Sequence, residues 1–226
     1  MPGALLAVLL GCLAPAASAQ VAPSSAEVSA YSGLHSAAAR GDTSAIRTQV
    51  AAGAKPDARD GYGRTPLHVA AYRAHHDSMR ALVSAGADPN SLENDRYDIV
   101  TIAAVANDLP TLTLALALGA SAKNITSRYD GTALIAAAHL GHAEVVRVLI
   151  GAGAPLDHVN NLGWTAVIEA IVLGDGGARH TDTLKALIDA GANLNLPDRQ
   201  RQSPLRLAGG RGHASMVKLL QQAGAK

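Results

Sequence analysis

The chain has 226 residues, 48% of them hydrophobic and 16% charged, a composition that can bury a core and excludes an intrinsically disordered segment. Nineteen Lys and Arg against eighteen Asp and Glu leave a formal net charge of +1, so the cationic field on which non-specific nucleic-acid binding relies is missing. The single cysteine, Cys12, excludes a disulfide framework and a Cys-ligated zinc site. Phenylalanine is absent and alanine makes up about a fifth of the chain, so the core has to be built from Ala, Leu, Val and Ile in close helix-on-helix contact.

The first predicted element is an export signal over residues 1–19. An apolar run from Ala4 to Leu13 is too short for the ~20 residues of a membrane-spanning helix. It is followed by Pro15 and the small-x-small tripeptide Ala17-Ser18-Ala19, after which a signal peptidase cleaves. The expected destination is therefore periplasmic or secreted, with Gln20 as the new N-terminus and no membrane span. Leu9-Leu10-Gly11-Cys12 loosely matches a lipoprotein box, so a lipid anchor on Cys12 is the lesser alternative. Residues 20–30 carry Pro23, Ser24, Ser25 and Ser29 and are expected to form a flexible leader.

Beyond the leader the chain repeats itself. Gly-Ala recurs at Gly53, Gly86, Gly119, Gly153, Gly191 and Gly224, at spacings of 33, 33, 34, 38 and 33 residues. Each dipeptide follows an apolar pattern of helical period, such as Val145, Val146, Leu149 and Ile150, which itself follows an Ala-rich helix such as Ala133 to Leu140. The unit is a helix pair, and each glycine stands where the second helix has to stop. The repeats run over about 31–59, 60–93, 94–126, 127–159, 160–198 and 199–226.

Within the units, Thr65-Pro66-Leu67-His68-Val69-Ala70-Ala71 and Ser203-Pro204-Leu205-Arg206-Leu207-Ala208 are two copies of one helix start. Proline suits a first helical turn, and the preceding hydroxyl residue is a natural cap. Small residues at Ala37, Ala70, Ala103, Ala136, Ala170 and Ala208 let neighbouring first helices approach. Gly141-His142-Ala143-Glu144-Val145-Val146 and Gly212-His213-Ala214-Ser215-Met216-Val217 begin second helices. On these motifs the chain resembles the ankyrin-repeat family, over about residues 31–226. The segment from Gly163 to Ala170, with Leu173-Gly174-Asp175-Gly176-Gly177, is similar to small exported ankyrin-repeat proteins of Gram-negative bacteria. The resemblance implies an all-α solenoid of about six helix-turn-helix units with β-turn fingers. It also implies that His35 and His68 bond to backbone in the neighbouring finger, and that His142 and His213 are structural.

Two units depart from the pattern. The third has Asp98-Ile99-Val100-Thr101 at the helix start and Asn107-Asp108 in place of Gly-His, with Pro110 opening its second helix, and is expected to be the softest. The fifth carries about five extra residues within 174–180, expected to form a protruding loop. The sixth presents Ser215, Lys218, Gln221 and Gln222 on its second helix, a polar face suited to a C-terminal cap.

In ankyrin repeats the fingers and the first helices line a concave groove that contacts protein partners. On that register every aromatic of the chain falls on or beside a finger or groove position, with arginines among them. Tyr, Trp and Arg dominate binding energy at interfaces. The expected groove residues are Tyr62, Arg64, Tyr72, Arg73, Arg96, Tyr97, Arg128, Tyr129 and Trp164. The alternative is that finger aromatics pack on the next finger and seal the stack.

The expected function is a non-catalytic module that binds one or more proteins, as a monomer and without cofactor. A secreted effector or an inhibitor of a host or toxin protein is the second reading. A metal-dependent hydrolase is the remote third: His75-His76-Asp77 would need a further ligand from His139 or Asp108. Gly174-Asp175-Gly176-Gly177 lacks the Lys-Ser/Thr of a phosphate loop. Asn124-Ile125-Thr126 is a glycosylation sequon, read as a chance match.

Overall fold

The computed structural model describes residues 21–226. After a short α1 (Ser25–Ala30) come six antiparallel helix pairs: α2 (Gly33–Arg40) with α3 (Thr43–Ala51), α4 (Pro66–Tyr72) with α5 (His76–Ser84), and α6 (Ile99–Val105) with α7 (Leu109–Ala117). The array continues with α8 (Ala133–Leu140) and α9 (Ala143–Gly151), α10 (Ala166–Val172) and α11 (Ala178–Asp189), and α12 (Pro204–Gly210) and α13 (Ala214–Gln222). Each first helix packs on the first helix of the next pair, forming the inner layer, while the second helices stack outside them. The predicted signal segment lies outside the described residues.

Local chemistry accounts for the helix boundaries. Thr65, Asp98, Thr132, Thr165 and Ser203 each accept a hydrogen bond from the backbone N–H three residues on, and Pro66 and Pro204 fill the first turns. At the other end the Gly-Ala glycines have φ of 80–96°, a region costly for a side chain. There Ala54 N–H returns to Gln49 O at 3.0 Å and Ala87 N–H to Leu82 O at 3.0 Å, closing the last turn.

Stacking of the inner helices rests on a column of buried alanines, Ala37, Ala70, Ala103, Ala137, Ala170 and Ala208. In the fourth pair the column member is Ala137 rather than Ala136, because Thr132 and not Gly131 caps the helix and sets its register. Ala136 is half-buried on the concave side instead. Histidines lace the layers together: as the resemblance implies, His35 Nε2 donates to Arg64 O at 2.8 Å and His68 Nε2 to Tyr97 O at 3.2 Å, both on neighbouring fingers, and His142 Nδ1 donates to Ala104 O of α6 at 3.0 Å, whereas the equivalent Nδ1 of His213 has no hydrogen-bond partner among the described residues. Burial pushes the His68 pKa down to about 4, which keeps its Nδ1 unprotonated to accept Thr65 N–H.

Two expectations about connecting segments are corrected. Where a flexible leader was expected, Ser25–Ala30 form a helix, because Ser24 and Glu27 make a reciprocal capping box. The insertion in the fifth repeat is taken up largely as helix: α11 has 12 residues against 9 in α9, and the extra turn carries His180, which is buried and donates to His139 O at 2.9 Å.

The third pair is well made locally. Asp108 caps α7, and Pro110 lies in its first turn. Left-handed backbone falls at the residue that joins the two helices of a pair. That residue is Gly41, Gly141 or Gly212 at φ of about 70°, but Ala74 in the second pair, at φ 52°, and Asn107 in the third, at φ 54°; asparagine tolerates that region better than alanine. Ala74 is exposed, so Ala74→Gly removes little buried surface. It is expected to raise stability by about 0.5–1 kcal/mol, seen as a higher denaturant midpoint with unchanged slope. An unchanged midpoint would show that the left-handed alanine carries no strain.

Candidate functional site

The concave face is edged by fingers, each a tight hairpin tied across its base. Asp60 N–H donates to Arg64 O, Glu93 to Tyr97 O, Asn160 to Trp164 O and Asp198 to Gln202 O, all at 3.0 Å, and Thr126 to Gly131 O at 2.8 Å. The side chain at the base accepts the finger's own N–H groups: Asp60 Oδ1 from Tyr62 and Arg64, Asn160 Oδ1 from Leu162 and Trp164. Successive fingers are joined by Asn94 N–H to Tyr62 O, Ser127 N–H to Arg96 O and Asn161 N–H to Tyr129 O. The row of fingers is thus a continuous wall above the inner helices.

Eight of the nine expected groove residues separate into three sets, and the ninth, Tyr129, is half-buried at the cavity described below. Arg64 is removed from the groove: its side chain is 3% exposed and pairs with Asp60, at 2.8 Å, and with Glu27 of α1. Tyr31 donates to the same Asp60 at 2.7 Å, so this cluster ties α1 to the finger of the second repeat. Tyr62, 57% exposed, sheds one face onto the Arg64 guanidinium, which lies 4.4 Å from its ring centre. Arg73, Arg96 and Arg128 are exposed, and the last two pair across fingers with Asp130 and Asp95. Tyr72, Tyr97 and Trp164 are half-buried against the core, so one side of each ring seals the stack. Burial pushes the Tyr72 and Tyr97 phenols up, with the Asp95 and Glu93 carboxylates adding to the effect.

Tyr97 and Tyr129 are brought together at a cavity of about 280 Å³, opening on the concave face between the third and fifth repeats. Val105, Ile135 and Leu140 give it apolar walls, and Asn160 and Glu169 lie at its base. Glu169, on α10, is 3% exposed; its Oε1 accepts Asn160 Nδ2 at 2.9 Å, while Oε2 has no hydrogen-bond partner among the described residues. His139 Nδ1 stands 3.3 Å from Oε2. Sequence reasoning missed Glu169, Asn160 and His139 as groove residues. The signal was present in the repeat register: the position of Glu169 is Ser36, Val69, Ile102, Ala136 and Leu207 in the other units.

The residues singled out for other chemistry are committed elsewhere. His75 Nδ1 donates to Ala38 O at 3.0 Å, His76 faces the Thr111 hydroxyl at 2.8 Å, and Asp77 points to solvent beside Arg80. Among the described residues no three His, Cys, Asp or Glu side chains gather as metal ligands. The Asn124 amide of the sequon donates to Asp98 at 2.9 Å and Asn90 at 3.0 Å. No helix among the described residues is long and apolar enough to cross a membrane.

Stacked helix pairs with a finger wall over a concave groove define a repeat protein of the interaction type, in which a rigid scaffold presents variable surface residues. The chain belongs to the ankyrin-repeat family: the family model for ankyrin repeats in sets of three copies matches residues 7–93, 34–124 and 100–198. It is 36% identical over 103 residues to the ankyrin repeat protein YahD of Escherichia coli (strain K12), an alignment that takes in 45% of this chain and 51% of YahD. The chain thus spans about half the length of that curated relative. Among solved structures, an ankyrin repeat domain from Acinetobacter baumannii AYE shares 44% identity with a TM-score of 0.80, over 85% of this chain and 98% of that one. A second ankyrin repeat protein shares 29% identity at a TM-score of 0.77, with the same coverage of both chains. Ankyrin repeats are protein–protein interaction modules.

Proposed function

We propose that the protein is a non-catalytic binding module that engages a partner protein through its concave groove and finger tips after export from the cytoplasm. One observation carries the reading: the cavity between Tyr97 and Tyr129, which supplies a pocket into which a partner side chain can be buried. The exposed apolar residues Ile125, Val159 and Leu162 lie on the same fingers and extend the contact surface beyond the cavity. Export rests on the N-terminal pattern alone, and N-terminal sequencing of protein recovered from the source cells tests it, with Gln20 as the expected first residue.

The groove is tested by partner capture from the exported fraction with the native protein and with a Tyr97→Ala, Tyr129→Ala variant. Removing two aromatic anchors is expected to weaken binding by about 2 kcal/mol or more while helical content is kept. Equal capture of the same proteins by both forms would assign the aromatics to sealing the stack.

A further inference from the structure

We propose that the cavity between the third and fifth repeats receives an arginine side chain projecting from the partner protein, with Glu169 as its counter-ion. The inference rests on the groove reading above and says what the partner must carry.

The first support is the place of Glu169 in the repeat. Its position is aliphatic or small in every other unit, and a carboxylate buried to 3% exposure there is costly unless charge and hydrogen bonds compensate it. Half of that compensation is internal. Asn160 holds Oε1, whereas the equivalent finger-base residue is Asp60, Glu93 or Asp198 in three other units, acids that would repel a glutamate, and Thr126 in the fourth repeat. An asparagine keeps the acceptor oxygen for the finger N–H groups and adds an N–H₂ for Glu169. Two departures from the repeat pattern therefore work together to hold a carboxylate at the base of the groove.

The other half is open. Glu169 Oε2 is buried and lacks a hydrogen bond among the described residues, and Glu169 lines the cavity. His139 Nδ1, 3.3 Å away, is out of line for one, and the His139 side chain is 36% exposed. The space above Oε2 has the Tyr97 and Tyr129 rings on its finger side and Ile135 and Leu140 on its helix side. A planar, weakly hydrated guanidinium suits an aromatic-walled site with a carboxylate at its base, and its methylene stem suits the apolar walls. The compact, strongly hydrated ammonium of lysine suits it less.

The test titrates the ¹⁵N-labelled full chain with Nα-acetyl-arginine methylamide, with the matching lysine and citrulline compounds, and with free arginine, followed by amide chemical shifts. Saturable shifts at residues 129–140 are expected with the capped arginine, in the millimolar range for so small a probe. The uncharged citrulline isostere is expected to bind about tenfold more weakly or less, as for loss of a charge-assisted hydrogen bond. Glu169→Gln, which keeps the bond from Asn160 and is expected to leave the remaining spectrum in place, should abolish the response. Equal binding of citrulline, an unchanged response in Glu169→Gln, or no localised response overturns the proposal. Tighter binding of the capped lysine or of free arginine overturns it too, by assigning the pocket to another cation. If Tyr97→Ala, Tyr129→Ala loses the partner while Glu169→Gln retains it in full, the groove reading stands and the arginine pocket falls.

Discussion

Arg64→Ala is expected to destabilise the stack by about 3 kcal/mol, the low end of the loss that follows breaking a buried ion pair. The guanidinium is 3% exposed and bridges Asp60, in the finger of the second repeat, to Glu27 of α1. Its removal leaves Asp60, only 9% exposed, without its cation and frees the first helix. Glu27 is 25% exposed, so water recovers part of the loss, which is why the low end applies. Arg73→Ala, at an exposed position that makes no ion pair among the described residues, is the control and should stay within about 0.5 kcal/mol. Chemical denaturation of the two variants measures both; equal small losses would return Arg64 to the surface.

The same cluster sets an acid response. Hydrogen bonds from Ser24 and then from Arg64 hold the Glu27 pKa at about 2, against an ordinary value of 4.5. At Asp60 burial alone would raise the pKa, but the bonds from Tyr31 and Arg64 prevail and it is lowered. Carboxylates depressed in the folded state stabilise it fully above the ordinary value and lose that contribution as pH falls towards the folded value. The stability of the native protein should therefore decline between about pH 4.5 and 2, and less steeply in Arg64→Ala.

Asp98→Ala should cost about 2–3 kcal/mol, against about 1 kcal/mol for the half-exposed cap in Asp108→Ala. Asp98 is fully buried and accepts from Thr101 N–H and Thr101 Oγ1, each at 2.8 Å, and from Asn124 Nδ2 at 2.9 Å. Alanine therefore removes a helix cap and leaves donors facing an apolar gap, whereas Asp108 is backed by solvent. Burial raises the Asp98 pKa despite these bonds, so its sign is opposite to that of Glu27: its contribution is complete below the ordinary value of 3.8 and declines as pH rises through the folded value. A shallow, separate transition of the third repeat in Asp98→Ala, followed by hydrogen exchange, would identify it as the unit in which the stack first opens. A loss no larger than that of Asp108→Ala would show that the buried hub adds nothing to an ordinary cap.

The sequence by itself determined the repeat count, the helix pairs, the caps at Thr65 and Ser203 and the stop at each Gly-Ala. Those features depend on hydrogen bonds within about five residues, or on a period that repeats six times, so a single strand of letters contains them. Only the tertiary structure decided which finger residues remain available. Arg64 looked like a contact residue until Glu27, 37 positions away, was folded onto it. Likewise the extra residues of the fifth repeat became a helical turn once His180 had a carbonyl on α8 to meet. Glu169 carried a readable mark, a carboxylate in a column otherwise aliphatic or small, but its meaning required Asn160 beside one oxygen and an open cavity at the other. Which face of a residue is buried follows from the register between neighbouring repeats, and that register is a property of the assembled stack.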